Sequence, residues 1–465
     1  MRSVEGAHNR GGVRALLGLL MGIAVVAGGA AAGAQYDPPA GYYDGATGSG
    51  TTLLHNLHDI IDNHVVRSYD AAKYALRLLD EDPNNPNNVI LLYTGASAPE
   101  TWDPDNNWDR EHQWPRSRGV GDDGPDFSDL FNLRPCDPVT NGNRSAKPYG
   151  IGSGYWDPLA VALPGVNHRG DCSRGIFYMA ARYDGSEAGT TQLTIVNGFP
   201  SGNQMGDLSK MLVWHYSDPV DQSERRRNHL VYSSQDNPSY YQGNRNPFID
   251  HPEFVWPIWG DGDEDSKLYF GSTPPADGAS TTAVDFGNVA RGDPVPAPQS
   301  VTLNKTGNDP TYYEITVAGN AVCALAGRGN AFVGGAGSAS IPVGLPEGCT
   351  TTPGLKTGTI TIDNLALLNQ GPGTGALDGN DVIAVSINVV GCHVPYADAD
   401  GDGDVDLSDF AELQRCYSGE NHLFPEGCFC QDYDGDNDVD MLDFAAFSAC
   451  LDTSGPNIPA APDCH

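Results

Sequence analysis

The last seventy or so residues of the chain carry the same acidic pattern twice. "DADGDGDVDLSDF" begins at Asp398, and "DYDGDNDVDMLDF" begins 34 residues later at Asp432. Each copy packs six carboxylates into twelve residues. Carboxylates at this density repel one another unless a cation lies between them. The pattern therefore predicts that this segment folds around a hard divalent ion.

The spacing of the acidic residues identifies the ion. Positions 1, 3, 5, 9 and 12 of each copy are Asp, the spacing of oxygen ligands in an EF-hand-like calcium loop, and position 7, where the backbone carbonyl would coordinate, is Asp as well. Each loop runs into an amphipathic helix, "LSDFAELQRCY" or "MLDFAAFSACL". The predicted Ca²⁺ ligands are Asp398, Asp400, Asp402, Asp404, Asp406 and Asp409 in the first loop, and Asp432, Asp434, Asp436, Asp438, Asp440 and Asp443 in the second.

Position 12 is Asp in both loops, where a sensor EF-hand has a bidentate Glu. With the duplication, this resembles a dockerin, the calcium-loaded module that attaches secreted enzymes to cohesin-bearing partners. The resemblance implies a small α domain over residues 394–465 that docks to a cohesin-like or cell-surface partner. A solvated acidic tail, the competing interpretation, does not require repeated helices with ordered spacing.

The composition and the residue pattern of the sequence change at about residue 273. A chain of 465 residues is too long for one ordinary core. Residues 35–273 are rich in aromatic residues, His and Arg, and "LHNLHDIIDNHVVRSYDAAKYALRLLD" has helical periodicity. Residues 274–393 alternate short strand patterns with Gly, Pro and Asn turns. The alternating strand pattern of residues 274–393 predicts an immunoglobulin-like β-sandwich.

The N-terminus predicts export. Arg2, Arg10 and Arg14 precede an apolar run at 15–26, and small residues at 32–34 suit cleavage. The run is short for a membrane span. We therefore expect residues 1–34 to be a signal peptide and the mature chain to be secreted, without a transmembrane segment.

The ten cysteines agree with an oxidising compartment. None forms a C-x-x-C pair, so disulfides are favoured over a zinc site. One sequence does not determine which cysteines pair. Two pairings lie within single regions, Cys136 with Cys172 and Cys323 with Cys349.

The formal net charge of −34 argues against a protein that coats nucleic acid through clustered Lys and Arg. The charge is unevenly distributed, however. Residues 110–182 are dense in both signs, whereas Arg415 is the single Lys or Arg after Lys356. A locally basic site within an acidic protein is therefore compatible with the composition.

The stretch "NWDREHQWPRSRG" places Glu111 beside His112 among several Arg. Hydrolysis of a phosphodiester needs a base for water, a cation for the phosphate, and help for the leaving oxygen. An imidazole, a carboxylate that holds Mg²⁺, and guanidinium groups supply these functions. Adjacent residues of a straight strand point to opposite faces. Both can serve one site only where the strand breaks, and Pro115 agrees with such a break.

Three short motifs extend this pattern: "REHQWP", "DLFNLRP" and "NGNRS". Their order, together with "GDCSRGIFYMAARY" further on, resembles the endonuclease I family of secreted and periplasmic nucleases over residues 50 to 260. The resemblance implies an α+β domain with a ββα-metal core. It implies a general base at His112 and Mg²⁺ ligands at Glu111 and Asn141.

The remaining polar residues of these motifs receive supporting roles from the same resemblance. Asn132 is expected to orient His112, and it is also the alternative metal ligand. The candidate phosphate clamps are Arg134 and Arg144, with Arg116 and Arg118 as alternatives. Residues 225–227, "RRR", either contact the nucleic-acid backbone or form a solvated helix face. His168 and His251 are expected to be structural.

Together these features predict a secreted, Mg²⁺-dependent endonuclease that cleaves DNA, RNA or both with little sequence specificity. A calcium-folded docking module would tether it. The alternative is a non-catalytic protein that binds nucleic acid or assembles on a cell surface. Glu111, His112 and Asn141 occurring together favour the enzyme.

Overall fold

The computed structural model describes residues 36–262, 264–275, 279–366, 379–392, 396–400, 404–425 and 427–451. The predicted signal peptide (1–34) and the predicted calcium ligand Asp402 lie outside these residues. The architecture is mixed: helices and short strands alternate first, long strands follow, and two helices come last.

The N-terminal region, residues 36–262, consists of short elements. In chain order they are α1 (Gly50–Ile61), α2 (Tyr69–Leu79), β1 (Glu81–Asp82), β2 (Asn85–Ile90), β3 (Ser97–Pro99), β4 (Asp109–His112), β5 (Leu133–Cys136), α3 (Pro138–Arg144), α4 (Arg169–Arg182), β6 (Thr194–Ile195), β7 (Gln204–Met205), α5 (Leu208–Ser217), α6 (Gln222–Tyr232), α7 (Pro247–Asp250) and α8 (Val255–Trp259).

Helix α4 is the centre of this region, since almost all of its side chains are buried. Helix α1 packs against it through Leu53, Leu57 and Ile61, which recur at the four-residue spacing that puts them on one face. The helical pattern of the sequence continues past this point, but α1 ends at Ile61 and Val65 is exposed. Residues 62–68 separate α1 from α2.

Strands β4 and β5 form an antiparallel pair in which Glu111 lies opposite Arg134. Helix α3 follows β5 after one residue, Asp137, whose side chain accepts a hydrogen bond from the backbone N–H of Thr140 at 2.7 Å. An N-cap of this kind satisfies a free N–H of the first turn and fixes where the helix starts. The arrangement places the end of β4 beside α3.

The strand-rich region contains two sheets. Its strands are β8 (Lys267–Phe270), β9 (Thr281–Ala290), β10 (Gln299–Thr306), β11 (Thr311–Gly319), β12 (Gly327–Phe332), β13 (Gly337–Val343), β14 (Gly354–Asn364) and β15 (Asp381–Val390). One sheet has the order β12-β11-β14-β15-β9 and the other has β13-β10-β8. All pairs are antiparallel except β15 with β9.

Side chains of both sheets share one core. Ile383, Val385, Ile387 and Val389 alternate along β15 and are buried. They belong to the same hydrophobic cluster as Leu303 of the smaller sheet. Alternate residues of a strand point to the same face, so a strand with one covered face buries every second side chain.

The C-terminal region contains α9 (Leu407–Cys416) and α10 (Met441–Cys450), which share a small core. A Cys416–Cys428 disulfide lies within this region. A Cys392–Cys430 disulfide ties it to the segment that follows β15. The pairings of Cys136 with Cys172 and of Cys323 with Cys349 are wrong, because all four of these thiols are free and buried.

The N-terminal and strand-rich regions are in contact. The Tyr312 hydroxyl on β11 donates a 2.7 Å hydrogen bond to the backbone carbonyl of His215. Tyr216, Tyr312 and Leu365 form an apolar cluster between the two regions. Arg328 on β12 reaches Glu253 at 2.6 Å. Apolar burial and a charged pair therefore join these regions.

Candidate active site and calcium loops

Strand β4 ends at His112, directly after Glu111. Both side chains are nearly buried, with exposed fractions of 7% and 2%. Both nevertheless line one cleft of about 490 Å³. The cleft is lined by Tyr69, Asp109, Arg110, Glu111, His112, Pro115, Arg116, Ser117, Gly121, Asp122, Asn141, Arg144, Ser145 and Ala146. Two neighbours in sequence thus reach one site at the point where the strand stops.

The Glu111 carboxylate is held through one of its two oxygens. Its Oε1 accepts a 2.7 Å hydrogen bond from the Tyr93 hydroxyl and lies 2.9 Å from Nη1 of Arg144. No hydrogen bond to Oε2 is present among the described residues. Burial raises the pKa of Glu111, whereas Arg144 and the Tyr93 hydroxyl lower it. Oε2 is therefore the atom that can bind a cation.

The His112 imidazole is fixed in one tautomer. Its Nε2 lies 2.9 Å from the Phe127 carbonyl oxygen, and a carbonyl only accepts, so Nε2 carries the proton. Nδ1 then keeps its lone pair. The ring stacks against Tyr69 and Phe127, with centroid distances of 5.5 Å and 5.1 Å. Burial is the main reason that the pKa of His112 is lowered to about 4.

Asn141 reaches the cleft from helix α3. Its Nδ2 donates a 3.2 Å hydrogen bond to Oδ2 of Asp109, the first residue of β4. With Nδ2 engaged, the amide oxygen is the acceptor that remains. Glu111 Oε2, the Asn141 amide oxygen and the Asp109 carboxylate are hard oxygen donors, the type that Mg²⁺ prefers. The donor set in this cleft therefore fits a magnesium ion.

Arg144 lines the cleft, but its guanidinium is already committed. It is 1% exposed. Besides Glu111, it donates from Nη1 to the His112 carbonyl at 2.9 Å and from Nη2 to the Gln113 carbonyl. Both terminal nitrogens of Arg144 therefore have partners, whereas its buried Nε has none among the described residues. These contacts balance the Glu111 charge and hold the end of β4, and the phosphate clamp at Arg144 stays a prediction.

Arg134 does not reach the cleft, which corrects its predicted role as a clamp. Its Nε lies 2.7 Å from Oδ1 of Asp80, an atom that Arg227 also contacts at 3.0 Å. Arg226 pairs with Glu81 at 3.5 Å. The "RRR" run therefore makes ion pairs within the protein and is not simply a solvated face.

Among the alternative clamps, Arg116 lines the cleft and pairs with Asp122, and both side chains are exposed. Arg118 does not line the cleft. Its Nε donates a 2.8 Å hydrogen bond to the Ala146 carbonyl. Asn132 is buried and also lies outside the lining. Its Oδ1 accepts a 2.7 Å hydrogen bond from the backbone N–H of Trp114, and its Nδ2 donates to the Trp114 carbonyl at 3.3 Å. Asn132 thus supports the chain just beyond His112.

Several lining or supporting residues were not predicted from the sequence, among them Asp109, Arg110, Tyr69 and Tyr93. Asp109 and Arg110 precede Glu111 directly, and this adjacency could have been a signal. Tyr69 and Tyr93 have no local signal, because they come from α2 and from the segment between β2 and β3. Tyr93 has a φ of 74°, a left-handed conformation that is uncommon outside glycine.

The cleft lies in the part of the chain, residues 49–253, that matches the family model Endonuclease I. The extracellular ribonuclease of Bacillus subtilis (strain 168) is 39% identical over 243 residues, which cover 50% of this chain and 82% of that protein. The extracellular ribonuclease of Bacillus amyloliquefaciens is 40% identical over 236 residues, covering 47% and 78%. The chain belongs to the endonuclease I family.

The similarity to solved structures is low. The E. coli chaperone DraB is similar at 11% identity with a TM-score of 0.18, covering 27% of this chain and 56% of that one. No helix among the described residues has the length and apolar character needed to cross a membrane.

The acidic repeats bring carboxylates together in both loops. Oxygens within 4.8 Å of one another come from four sets of three residues: Asp398, Asp400 and Asp409; Asp404, Asp406 and Asp409; Asp432, Asp434 and Asp443; Asp438, Asp440 and Asp443. Asp436 belongs to none of these sets and accepts a 3.1 Å hydrogen bond from the backbone of Asp438. Eleven of the twelve predicted ligands are described, and ten converge.

Two features of the second loop suit a cation. Oδ1 of Asp438 is buried and has no hydrogen-bond partner. An unpaired buried carboxylate oxygen is costly, and a metal ion removes that cost. Asn437 at loop position 6 has a φ of 73°, the left-handed turn that such loops need there. The donor set therefore fits calcium.

Proposed function

We propose that this protein is a secreted, Mg²⁺-dependent endonuclease with little sequence specificity, in which His112 is the general base. The observation that carries the proposal is the position of the His112 imidazole. Its Nε2 is anchored on the Phe127 carbonyl, in the same cleft as Glu111 and Asn141. The similar proteins are named extracellular ribonucleases, which supports secretion and RNA as a substrate.

His112 removes a proton from water at Nδ1. A base must carry a lone pair towards the cleft, and the bond from Nε2–H to a carbonyl oxygen leaves Nδ1 in that state. Ring contacts with Tyr69 and Phe127 keep the imidazole from rotating. The charge gained by the imidazole is short-lived, because the proton passes on to solvent or to the leaving oxygen.

Glu111 and Asn141 would hold the magnesium ion, with Asp109 beside them. When bound, Mg²⁺ stabilises the negative charge that develops on the phosphate and on the leaving oxygen. Arg144 favours the ionised form of the Glu111 carboxylate against the effect of burial and orients it. Arg116 contacts the phosphate, since its partner Asp122 is exposed and a phosphate oxygen can replace that carboxylate.

The test is digestion of plasmid DNA and of RNA by the His112→Ala variant in Mg²⁺. We expect the rate to fall by about 10² to 10⁴, the usual contribution of a general base. The matched control is His229→Ala on α6, whose imidazole pairs with Asp236 outside the cleft lining. Full activity in His112→Ala would remove His112 as the base. Wild-type protein that retains nucleic acid in Mg²⁺ without cleaving it would favour the non-catalytic alternative.

We further propose that the C-terminal region binds two Ca²⁺ ions and docks the enzyme to a cohesin-like or cell-surface partner. Leu407 and Met441 occupy equivalent positions of the two repeats and are 77% and 61% exposed. Apolar side chains displayed at the start of both helices are suited to a protein interface. A Leu407→Asp, Met441→Asp double variant that still adheres to cells like the parent would argue against docking through this surface.

A further inference from the structure

Aromatic rings alternate with cations on the surface beside the active-site cleft. The series starts at Tyr69 and Arg110, which line the cleft, and continues through Trp102, Lys73 and Tyr74. We refer to these five residues as the aromatic row. It is continuous with the cleft, so it lies along one of the directions in which a polymer bound at the scissile phosphate can leave the cleft.

The contacts along the aromatic row are unbroken. The Arg110 guanidinium carbon lies 3.6 Å from the Tyr69 ring centroid and 5.0 Å from that of Trp102. Lys73 Nζ lies 5.0 Å from the ring centroids of both Trp102 and Tyr74. Tyr74 also stacks with Tyr240, at a centroid distance of 6.3 Å and an interplanar angle of 19°. Each cation therefore bridges two rings.

Local structure holds these residues in place. Tyr69 and Lys73 are four residues apart on α2 and thus share one helix face. Arg110 on β4 donates from Nη1 to the Tyr69 carbonyl. Lys73 Nζ is 2.5 Å from Oδ1 of Asp70. Tyr74 is 43% exposed and Trp102 is half-buried, so these two rings are partly open to solvent. The Tyr69 ring is covered by Arg110 and Phe127 and forms the end of the row at the cleft.

We propose that the aromatic row binds the unpaired bases of single-stranded nucleic acid next to the scissile phosphate. Every base has a π face, and stacking on an aromatic side chain contributes about 1–3 kcal/mol per base regardless of sequence. Lys73 and Arg110 lie where they can also contact the phosphates between those bases. This inference rests on the proposed function and adds a substrate class to it.

The partners of the two cations in the row favour stacking as the main source of affinity. Asp70 binds the Lys73 ammonium, and the Arg110 guanidinium lies over the Tyr69 ring. Electrostatic attraction of phosphate by these two cations is therefore reduced. In a duplex, bases already stack on their neighbours and present only their edges. The aromatic row thus favours single strands over duplexes.

The experiment measures binding in the full-length His112→Ala protein in Mg²⁺ and Ca²⁺. The probes are fluorescent single strands of about 12 nucleotides, within the usual range of such sites, as RNA and as DNA, and a duplex of the same sequence. The variants are Trp102→Ala, Tyr74→Ala and the conservative Trp102→Phe. The control is Phe199→Ala, which removes an exposed ring in edge-to-face contact with Tyr155, outside the row.

We expect the Kd for single strands to rise about 5- to 100-fold in Trp102→Ala, as loss of one stacked base requires. Tyr74→Ala should show the same direction, Trp102→Phe should retain most of the affinity, and Phe199→Ala should match the parent. Duplex binding should change less than single-strand binding. A rise with RNA alone would restrict the inference to RNA.

Single-strand affinity unchanged in both Trp102→Ala and Tyr74→Ala would overturn the inference, as would an equal loss for strand and duplex. Because binding is measured without cleavage, the two proposals fail separately. If the protein cleaves nucleic acid but these substitutions do not change its affinity, the proposed function stands and the role of the aromatic row is wrong. If the substitutions weaken binding but the wild type does not cleave, the role of the aromatic row stands and the proposed function is wrong. Thermal unfolding of each variant identifies any substitution that impairs folding.

Discussion

Arg144 and Glu111 illustrate how burial decides the role of a charged residue. A carboxylate that is 2% exposed is costly unless a cation compensates it. Arg144 does so at 2.9 Å and also bonds two backbone carbonyls at the end of β4. Arg116, four residues beyond the strand, has a side chain that is 51% exposed. The arginines of these two motifs therefore differ in burial and in partners.

The first prediction concerns these two arginines. Arg144→Met leaves the Glu111 charge buried and unpaired, so we expect the free energy of unfolding to fall by about 3–5 kcal/mol. Arg116→Met removes an exposed pair and should cost less than about 1 kcal/mol. Denaturant unfolding in the absence of added metal measures both. Equal effects of the two substitutions would contradict the assignment, whereas adding Glu111→Gln to Arg144→Met should recover part of the loss.

At the scale of elements, loops determine where helices begin. Asp440 caps α10, and Asp443 at the third helical position reaches back to the backbone of Asp440 at 2.7 Å. Asp406 and Asp409 repeat this capping box at α9. Both helices have ten residues, a length that is marginal without outside support. The same aspartates are the last proposed calcium ligands, so ion binding and helix formation are coupled.

The second prediction follows from this coupling. Addition of a calcium chelator to the full chain should reduce the far-UV helical signal and expose residues 404–451 to protease, because the carboxylates then repel one another. Readdition of Ca²⁺ should restore both. Asp443→Asn should weaken the response to calcium, and Asp285→Asn on strand β9 is a matched control. An unchanged spectrum and digestion pattern in chelator would exclude the calcium loops.

At the scale of the whole molecule, one buried carboxylate links two regions. Glu253 lies between Arg328 of the strand-rich region at 2.6 Å and His251 at 2.9 Å. Burial by itself would raise the pKa of Glu253. Arg328 and His251 outweigh that effect and lower the pKa to about 2. The ionised form therefore stabilises the contact between the regions.

The third prediction is a pH dependence with a defined sign. A carboxylate whose pKa is lower in the folded state contributes stability above its unfolded pKa of 4.5, and this contribution is lost as the pH falls towards 2. The full loss is about 3 kcal/mol, since each pKa unit corresponds to about 1.4 kcal/mol. Between pH 5 and pH 2, the free energy of unfolding of the wild type should therefore decrease more steeply with falling pH than that of Glu253→Gln. Parallel profiles would contradict the coupling.

The sequence alone determined the features that depend on short spacing. Glu111 and His112 are adjacent, and α3 follows β5 after one residue, so the motif order sufficed to bring Glu111, His112 and Asn141 to one cleft. The acidic loops are equally local, because the predicted calcium ligands of each lie within twelve residues. The alternating pattern of residues 274–393 likewise indicated strands. In these cases local geometry leaves few alternatives.

Only the tertiary structure decided which partner each buried group meets. Arg134 pairs with Asp80, Tyr93 reaches Glu111, and Cys392 binds Cys430, all across chain separations that no local pattern encodes. The same holds for the alternation of Arg110 and Lys73 with rings from other elements. Burial makes an unpaired charge or polar group expensive, so its partner is selected by what the packed chain brings near. That selection depends on the whole fold.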